Sequence, residues 1–211
     1  MADPGALARS PIPVREPVGT IGGWLVGTGR SHAPLRVCDR TPCTKVVVRA
    51  AAGGAVAQRL DVPLGRARRD GAQRLAAAFG PGEWLVLGAP GRRDAMVADL
   101  RDATAGADDL ASVIDVTHGR VLVRLTGRAA PELLARICAI DLHDRVAPDG
   151  AALRTSVAAV VTDIVRDDIA GERSYLLGCE WSSGQYLFDA VVAAGRGFGI
   201  GVDGFGGTAG V

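Results

Sequence analysis

The chain has 211 residues, of which 48% are hydrophobic and 22% charged, and its 24 basic and 23 acidic residues leave a formal net charge of +1. This length predicts one globular domain, or two small halves that share a core. A near-neutral charge excludes nucleic acid and an anionic membrane surface as partners, because both require a positive field, and it favours a small molecule or a protein.

The two ends of the chain differ in composition from the middle. Residues 1–29 contain four prolines and no helical periodicity, which predicts an extended arm without a core element. Residues 196–211 are rich in glycine, and the backbone entropy of glycine predicts a flexible tail. The compact region is expected between them, over residues 30–195.

Hydrophobic patterns predict the elements of this compact region. Runs of β-branched or alternating residues predict strands at 44–49, 83–88, 112–117, 120–126, 157–165 and 174–179. Helical spacing predicts helices at 53–60, 94–104, 129–138 and 184–194. Pro131 suits the first turn of the third helix, and Ser182 or Ser183 is expected to cap the fourth.

Two pairs of segments indicate an internal duplication. Residues 46–49 resemble 121–124, residues 83–88 resemble 174–178, and a helix is predicted after each of them. Each copy, about 30–110 and 111–195, is expected to be a strand–helix–strand–helix unit with its helices on one face of an antiparallel sheet. The sequence therefore predicts an α+β fold made of two ferredoxin-like halves.

Two motifs look like ligand sites but lack the expected context. Residues 199–204 match the dinucleotide fingerprint Gly-x-Gly-x-x-Gly, yet only seven residues follow, too few for the helix that holds the pyrophosphate. His32, Cys38 and Cys43 could ligate zinc, but their spacing matches no closed zinc module, and burial is the favoured interpretation of both cysteines. No nucleotide or metal site is predicted.

The remaining reactive residue types are few. The four cysteines form no Cys-x-x-Cys pair, which predicts free thiols and a reducing compartment, the cytoplasm. No Gly-x-Ser-x-Gly elbow or cysteine-protease context is present, so a catalytic triad is not expected. Lys45 is the only lysine and would have to carry any Schiff-base chemistry.

Three polar residues are candidates for a binding site. Asp115 and His118 belong to a segment that joins two predicted strands through a Thr-His-Gly turn, and this segment is either a polar-tipped hairpin or the mouth of a pocket. Asp163 lies in a strand that is apolar on both faces, so its carboxylate requires a partner. That partner is either an arginine, such as Arg124 or Arg166, or an amine ligand.

Four segments of the chain resemble a known family. They are Ser10-Pro11, residues 79–86 (FGPGEWLV), residues 115–127 (DVTHGRVLVRLTG) and residues 129–143 (AAPELLARICAIDLH). Together they resemble the gamma subunit of heterotetrameric sarcosine oxidase and, more distantly, the folate-binding domain of the glycine-cleavage aminomethyltransferase.

The resemblance implies a function within a complex. It implies an accessory chain without catalytic residues, which assembles with larger alpha and beta subunits and a small delta subunit. The complex oxidises sarcosine to glycine and hydrogen peroxide, and releases formaldehyde or 5,10-methylenetetrahydrofolate. Flavin, NAD and tetrahydrofolate are implied for the complex and not for this chain alone.

One segment departs from the aminomethyltransferase pattern and leaves alternatives open. Residues 160–164 fall over a Gly-(Ile/Val)-Ile-Asp-Asp-Leu motif, but Thr162 replaces the first aspartate and only Asp163 is kept. A kept carboxylate implies residual folate binding, with Asp115 and His118 nearby. The alternatives are therefore a free-standing tetrahydrofolate-dependent aminomethyltransferase, or a folate-binding accessory protein of the kind that assists iron–sulfur enzymes.

Overall fold

The structure is a computed structural model that describes residues 6–106 and 110–205. The strands are β1 Val18–Ile21, β2 Trp24–Gly27, β3 Leu35–Asp39, β4 Thr44–Arg49, β5 Ala67–Arg69, β6 Leu75–Gly80, β7 Glu83–Gly88, β8 Ser112–Asp115, β9 Arg120–Gly127, β10 Ala152–Val157, β11 Val160–Arg166, β12 Ser174–Glu180 and β13 Gly201–Asp203. The helices are α1 Ala55–Leu60, α2 Arg93–Thr104, α3 Ala130–Leu134 and α4 Gly184–Gly195.

Two larger sheets carry the fold, and each contains one strand from the opposite half. The five-stranded sheet has the order β5-β6-β7-β4-β8, and the six-stranded sheet has the order β10-β11-β12-β9-β3-β13. Strand β8 belongs to the second half in sequence but pairs with β4, and strand β3 belongs to the first half but pairs with β9. The structure confirms the predicted α+β fold, and it shows an exchange of strands that the sequence repeat did not reveal.

The sheets and helices form four layers. One apolar cluster lies between the five-stranded sheet and helices α1 and α2, and another lies between the six-stranded sheet and helices α3 and α4. A third cluster joins the inner faces of the two sheets and includes Leu85, Leu87, Leu122 and Leu176. Each half is thus a two-layer unit, and the halves meet sheet to sheet.

The helices fall where the hydrophobic spacing places them, with differences at their ends. Helix α3 ends at Leu134, shorter than expected, although Pro131 does lie in its first turn. A 3-10 turn precedes α4, and Ser183 makes no side-chain capping bond. The longest helices, α2 and α4, have 12 residues each, and no helix in the described part of the chain combines the length and apolarity needed to cross a bilayer.

The strand predicted at 157–165 is in fact a hairpin. Ala158 and Ala159 have positive φ values of 48° and 65° and form the two-residue turn between β10 and β11. Positive φ at both central residues is the geometry that a tight hairpin requires, normally met by Asn-Gly, so the Ala-Ala pair concealed the turn. Ala159 consequently lies in the turn and not on the strand face that carries Asp163.

The arm contains structure that the prolines did not predict. Strands β1 and β2 form a hairpin, and Ile12, Trp24 and Val26 are buried in the core. The expectation of an arm without a core element is wrong because these few large side chains supply enough apolar area to fix the segment.

The described part of the glycine-rich tail is also ordered. Strand β13 runs parallel to β3, and the backbone N–H of Gly204 donates to the carbonyl of Gly29. A Cβ on Gly201 would lie 1.9 Å from Ser31 Oγ, and one on Gly204 would lie 2.3 Å from Gly27 O. These glycines permit close packing of the tail on the chain, whereas residues 206–211 lie outside the described residues.

Candidate functional site

Asp163 is buried and lies between two arginines. Its side chain faces the five-stranded sheet and is 2% exposed. Arg154 Nε donates to Asp163 Oδ1 at 2.6 Å, and an Arg120 guanidinium nitrogen donates to Oδ2 at 2.7 Å. The predicted requirement for a partner is met by ion pairs, which is the arginine alternative.

The two arginines differ from those expected on sequence, for reasons of strand geometry. Arg154 stands directly opposite Asp163 in the register of β10 and β11, and Gly178 stands opposite Asp163 on β12. Because Gly178 has no side chain, Arg120 can reach across it from β9. Arg124 lies four residues further along β9, about 13 Å away, and Arg166 points to the other face of β11.

The two expected partners are engaged elsewhere. Arg124 pairs with Asp167 at 2.6 Å and donates to Ser174 Oγ. Arg166 pairs with Asp144 at 2.7 Å and with Asp168 at 3.0 Å. The prediction that either arginine pairs with Asp163 is therefore wrong.

The ion pairs of Asp163 continue across the boundary between the two sheets. Arg154 also donates to Glu83 on β7 at 2.8 Å, and Glu83 pairs with Arg49 on β4. Burial alone would raise the pKa of Glu83, but the hydrogen bonds from Arg154 and Arg49 hold it below its ordinary value. We call the chain formed by Arg120, Asp163, Arg154, Glu83 and Arg49 the intersheet ion chain.

Asp115 supports the turn that carries His118. Its Oδ1 accepts the backbone N–H of Thr117 at 3.0 Å, and its Oδ2 accepts Arg93 Nε of helix α2 at 2.6 Å. Burial tends to raise the pKa of Asp115, but the bonds from Thr117 and Arg93 lower it below its ordinary value. The carboxylate thus ties the turn to α2.

His118 lies on the surface, against an aromatic cluster. Its ring stacks on Trp24 of β2, with centroids 4.7 Å apart and planes inclined by 11°. Trp181 lies 6.2 Å from Trp24 and donates its backbone N–H to the carbonyl of Gly119. The arm is therefore packed against the turn between β8 and β9 through these rings.

The structure does not bring the three candidate residues to a shared cavity among those described. Two cavities of about 470 Å³ each are lined by other residues. Asp163 pairs with Arg120, which follows the His118 turn, and Asp115 pairs with Arg93. The residues therefore fit an amine or pterin ligand poorly, because both carboxylates already accept from arginines, and a role of these three residues in folate binding stays a prediction.

Lys45 is buried and not available for Schiff-base chemistry in this conformation. Its side chain is 1% exposed, and Nζ donates to the carbonyls of Thr41 at 2.7 Å and Cys43 at 2.8 Å. Burial lowers the pKa of Lys45 to about 8. The sequence did not single out Lys45 as a buried lysine, because the residues around it have the pattern of an ordinary strand.

The fold does not assemble the candidate zinc residues into a set of metal ligands. Cys43 is buried, His32 is exposed, and Cys38 Sγ donates to the Gly204 carbonyl at 3.2 Å. Burial raises the pKa of the Cys38 thiol to about 12. Among residues 6–106 and 110–205, no group of three or more histidine, cysteine or acidic side chains is placed to hold a metal ion.

The fold places the chain in a structural class. A chain of the heterotetrameric sarcosine oxidase from Corynebacterium sp. U-96 superposes with a TM-score of 0.68 at 21% identity, over 81% of this chain and 88% of that one. Aminomethyltransferase T of the glycine cleavage system from Bartonella henselae superposes with a TM-score of 0.65 at 14% identity, over 89% of this chain and 55% of that one. The protein therefore has the duplicated α+β fold that these two proteins share.

Sequence comparison then gives the family. The model of the sarcosine oxidase, gamma subunit family matches residues 44–194, and the chain belongs to this family. It is 30% identical to sarcosine oxidase subunit gamma of Corynebacterium sp. (strain P-1) over 99 residues, which are 47% of this chain and 45% of that protein. It is also 30% identical to the Arthrobacter sp. subunit gamma over 140 residues, which are 63% of this chain and 66% of that protein.

Proposed function

We propose that this chain is the gamma-type accessory subunit of a sarcosine oxidase complex, without catalytic residues of its own. The observation that carries the proposal is the family match over residues 44–194. The likeness of the fold to a chain of a heterotetrameric sarcosine oxidase supports it. In this proposal alpha and beta subunits and a small delta subunit are the partners, and the larger subunits hold flavin, NAD and tetrahydrofolate.

The geometry around the candidate residues supports an accessory role. Asp163 and Asp115 both accept hydrogen bonds from arginines that join separate elements. Such carboxylates fix the relative position of strands and helices instead of meeting a substrate. The four cysteines are free, which supports a reducing compartment, and we place the complex in the cytoplasm.

Co-expression with the neighbouring open reading frames tests the proposal. A tagged full chain is expected to co-purify with a yellow flavoprotein that produces hydrogen peroxide when sarcosine is added. The matched control is the same set of frames without this chain, which is expected to give less assembled complex and less activity. Normal assembly and full activity without the chain would refute the proposal.

The same material distinguishes the aminomethyltransferase alternative. That alternative requires the isolated chain to bind tetrahydrofolate and to transfer a one-carbon unit from a methylamine donor. The accessory proposal expects no turnover by the chain alone. Measurable turnover by the purified chain would overturn it in favour of the transferase.

A further inference from the structure

Strand β8 forms an open edge of the five-stranded sheet. It stands last in the strand order, and β4 is its one partner among the described strands. The backbone N–H of Val116 donates to the Lys45 carbonyl, and antiparallel ladders alternate between bonded and non-bonded pairs. The N–H and C=O groups of Val113 and Asp115 therefore point away from β4, and no described residue is hydrogen-bonded to them.

The other outer strands of the two larger sheets are bridged or shorter. Strand β10 is bridged near both of its ends, by the hydrogen bond from Ala152 N–H to the Gly65 carbonyl and by a bridge between Val157 and Cys138. Strands β5 and β13 have three residues each, whereas β8 has four. In these two sheets, β8 is thus the longest described edge without a bridge.

This edge lacks the features that usually prevent further strands from adding to a sheet. Natural edges are commonly protected by lysine, proline or a β-bulge. Residues 110–115 (LASVID) contain no lysine, arginine or proline, and the register between β8 and β4 is continuous. Their only charged side chain is that of Asp115, which pairs with Arg93 at 2.6 Å. The backbone groups of β8 are therefore accessible to another strand.

Apolar side chains beside this edge are also left uncovered. Leu110, just before β8, is 95% exposed, and Ile114 within it is 45% exposed. Val113 packs against the cluster beneath helices α1 and α2, so Ile114 lies on the opposite face of the sheet. An added strand would cover Ile114 and, in the same position, bond to the backbone of Val113 and Asp115.

We propose that β8 pairs with an extended segment of a larger subunit of the complex, which adds a strand to the five-stranded sheet. This proposal rests on the accessory function proposed above. The segment bonds to the backbone groups of Val113 and Asp115 and packs an apolar side chain against Ile114.

The size of the edge favours a larger subunit over a second copy of this chain. A ladder along the four residues of β8 is about 13 Å long. Such a ladder alone buries far less than the roughly 1,200 Å² of a stable interface. A larger subunit can contact the chain over further surfaces, and the strand then fixes the register of the two proteins.

Amide hydrogen exchange resolved to single residues tests the pairing, on the full chain alone and in the co-purified complex. The N–H of Ile114 points to β4 and is expected to be protected in both samples. Those of Val113 and Asp115 are expected to exchange at least about tenfold more slowly in the complex than in the chain alone. Unchanged exchange of both amides would overturn the proposal. Protection that appears in the chain alone as its concentration rises would indicate pairing between copies, and would overturn it as well.

Two variants and a matched control test the same edge by co-purification. Ile114→Lys places a charge beside the edge, and Val113→Pro removes an N–H that points away from β4. Each variant, checked for folding by circular dichroism, is expected to bind the larger subunits about tenfold more weakly or worse. Val161→Lys, at a 70% exposed side chain on β11, is expected to bind them unchanged.

The outcomes separate this proposal from the accessory function on which it rests. Failure of the unaltered chain to co-purify would contradict the accessory function itself. Co-purification of the unaltered chain together with unweakened binding of Ile114→Lys would contradict the pairing of β8 alone. Equal weakening by Ile114→Lys and Val161→Lys would also overturn the pairing, because the effect would then not be specific to the edge.

Discussion

Replacing Asp163 by asparagine removes the central charge of the intersheet ion chain while almost preserving side-chain volume. Arg120 and Arg154 would then face a neutral amide, and the buried Arg120 Nε already has no hydrogen-bond partner among the described atoms. Removing one member of a buried ion pair costs about 3–5 kcal/mol, because the remaining charge is left uncompensated.

The structure lowers this cost for two reasons. The side chains of Arg120 and Arg154 are 18% and 39% exposed, so water partly solvates their charges after the substitution. Arg154 also keeps Glu83 as a partner. We therefore expect Asp163→Asn to lower the free energy of unfolding by about 2 kcal/mol.

Urea unfolding followed by circular dichroism measures this loss. Asp61→Asn is the matched control, because its ion pair with Arg68 is exposed on both sides and is expected to contribute less than about 0.5 kcal/mol. Equal small losses in the two variants would refute the structural role of Asp163. A loss of folate binding in Asp163→Asn at unchanged stability would favour the ligand alternative.

Three further substitutions test other parts of the structure. Lys45 is protonated below pH 8, and burying this charge costs stability. Because the cost is relieved as the pH rises towards 10.5, the free energy of unfolding should rise by about 3 kcal/mol over this window relative to that of Lys45→Met. Parallel pH curves for the two proteins would contradict this prediction. Gly204→Ala should lower the melting temperature, since its Cβ meets backbone at 2.3 Å, whereas Gly197→Ala should not. His118→Ala should alter the fluorescence of Trp24 and cost about 1 kcal/mol in urea unfolding.

Local patterns predicted the central strands of both sheets and the two longest helices. Helices α2 and α4 and strands β4, β7, β9 and β12 carry clear periodicity, and the four strands end at Gly or charged residues. These strands form the centre of each sheet, where burial on both faces demands continuous hydrophobic runs. The repeat was visible in the sequence because these same strands occupy equivalent positions in the two sheets.

The elements that sequence patterns missed are stabilised mainly by partners distant in the chain. Strand β6 contains three consecutive alanines, which carry little strand preference, and it is held by β5 and β7. Strand β13 pairs with β3, more than 160 residues earlier in sequence. No local pattern reports such pairing, because tertiary packing and not propensity fixes the segment.

The candidate site shows the same division between local and distant information. The burial of Asp163 and its need for a counter-charge followed from the apolar residues around it. The identity of the counter-charge depended on the register of β10, a strand hidden by the Ala-Ala turn, and on the absence of a side chain at Gly178. The sequence therefore predicted the environment of Asp163, whereas the identity of its partners depended on how three strands pair.

Strand exchange explains why the two halves act as one body. Strand β8 completes the sheet of the first half, and β3 extends the sheet of the second, so neither sheet is complete without a strand from the other half. The intersheet ion chain and the arm close the same boundary, through Arg154 and Glu83 and through the buried Trp24. A half expressed alone would expose both a sheet face and an unpaired strand edge, which are aggregation hazards. The duplicated halves therefore share their sheets and form a single unit, a property that suits the proposed accessory role.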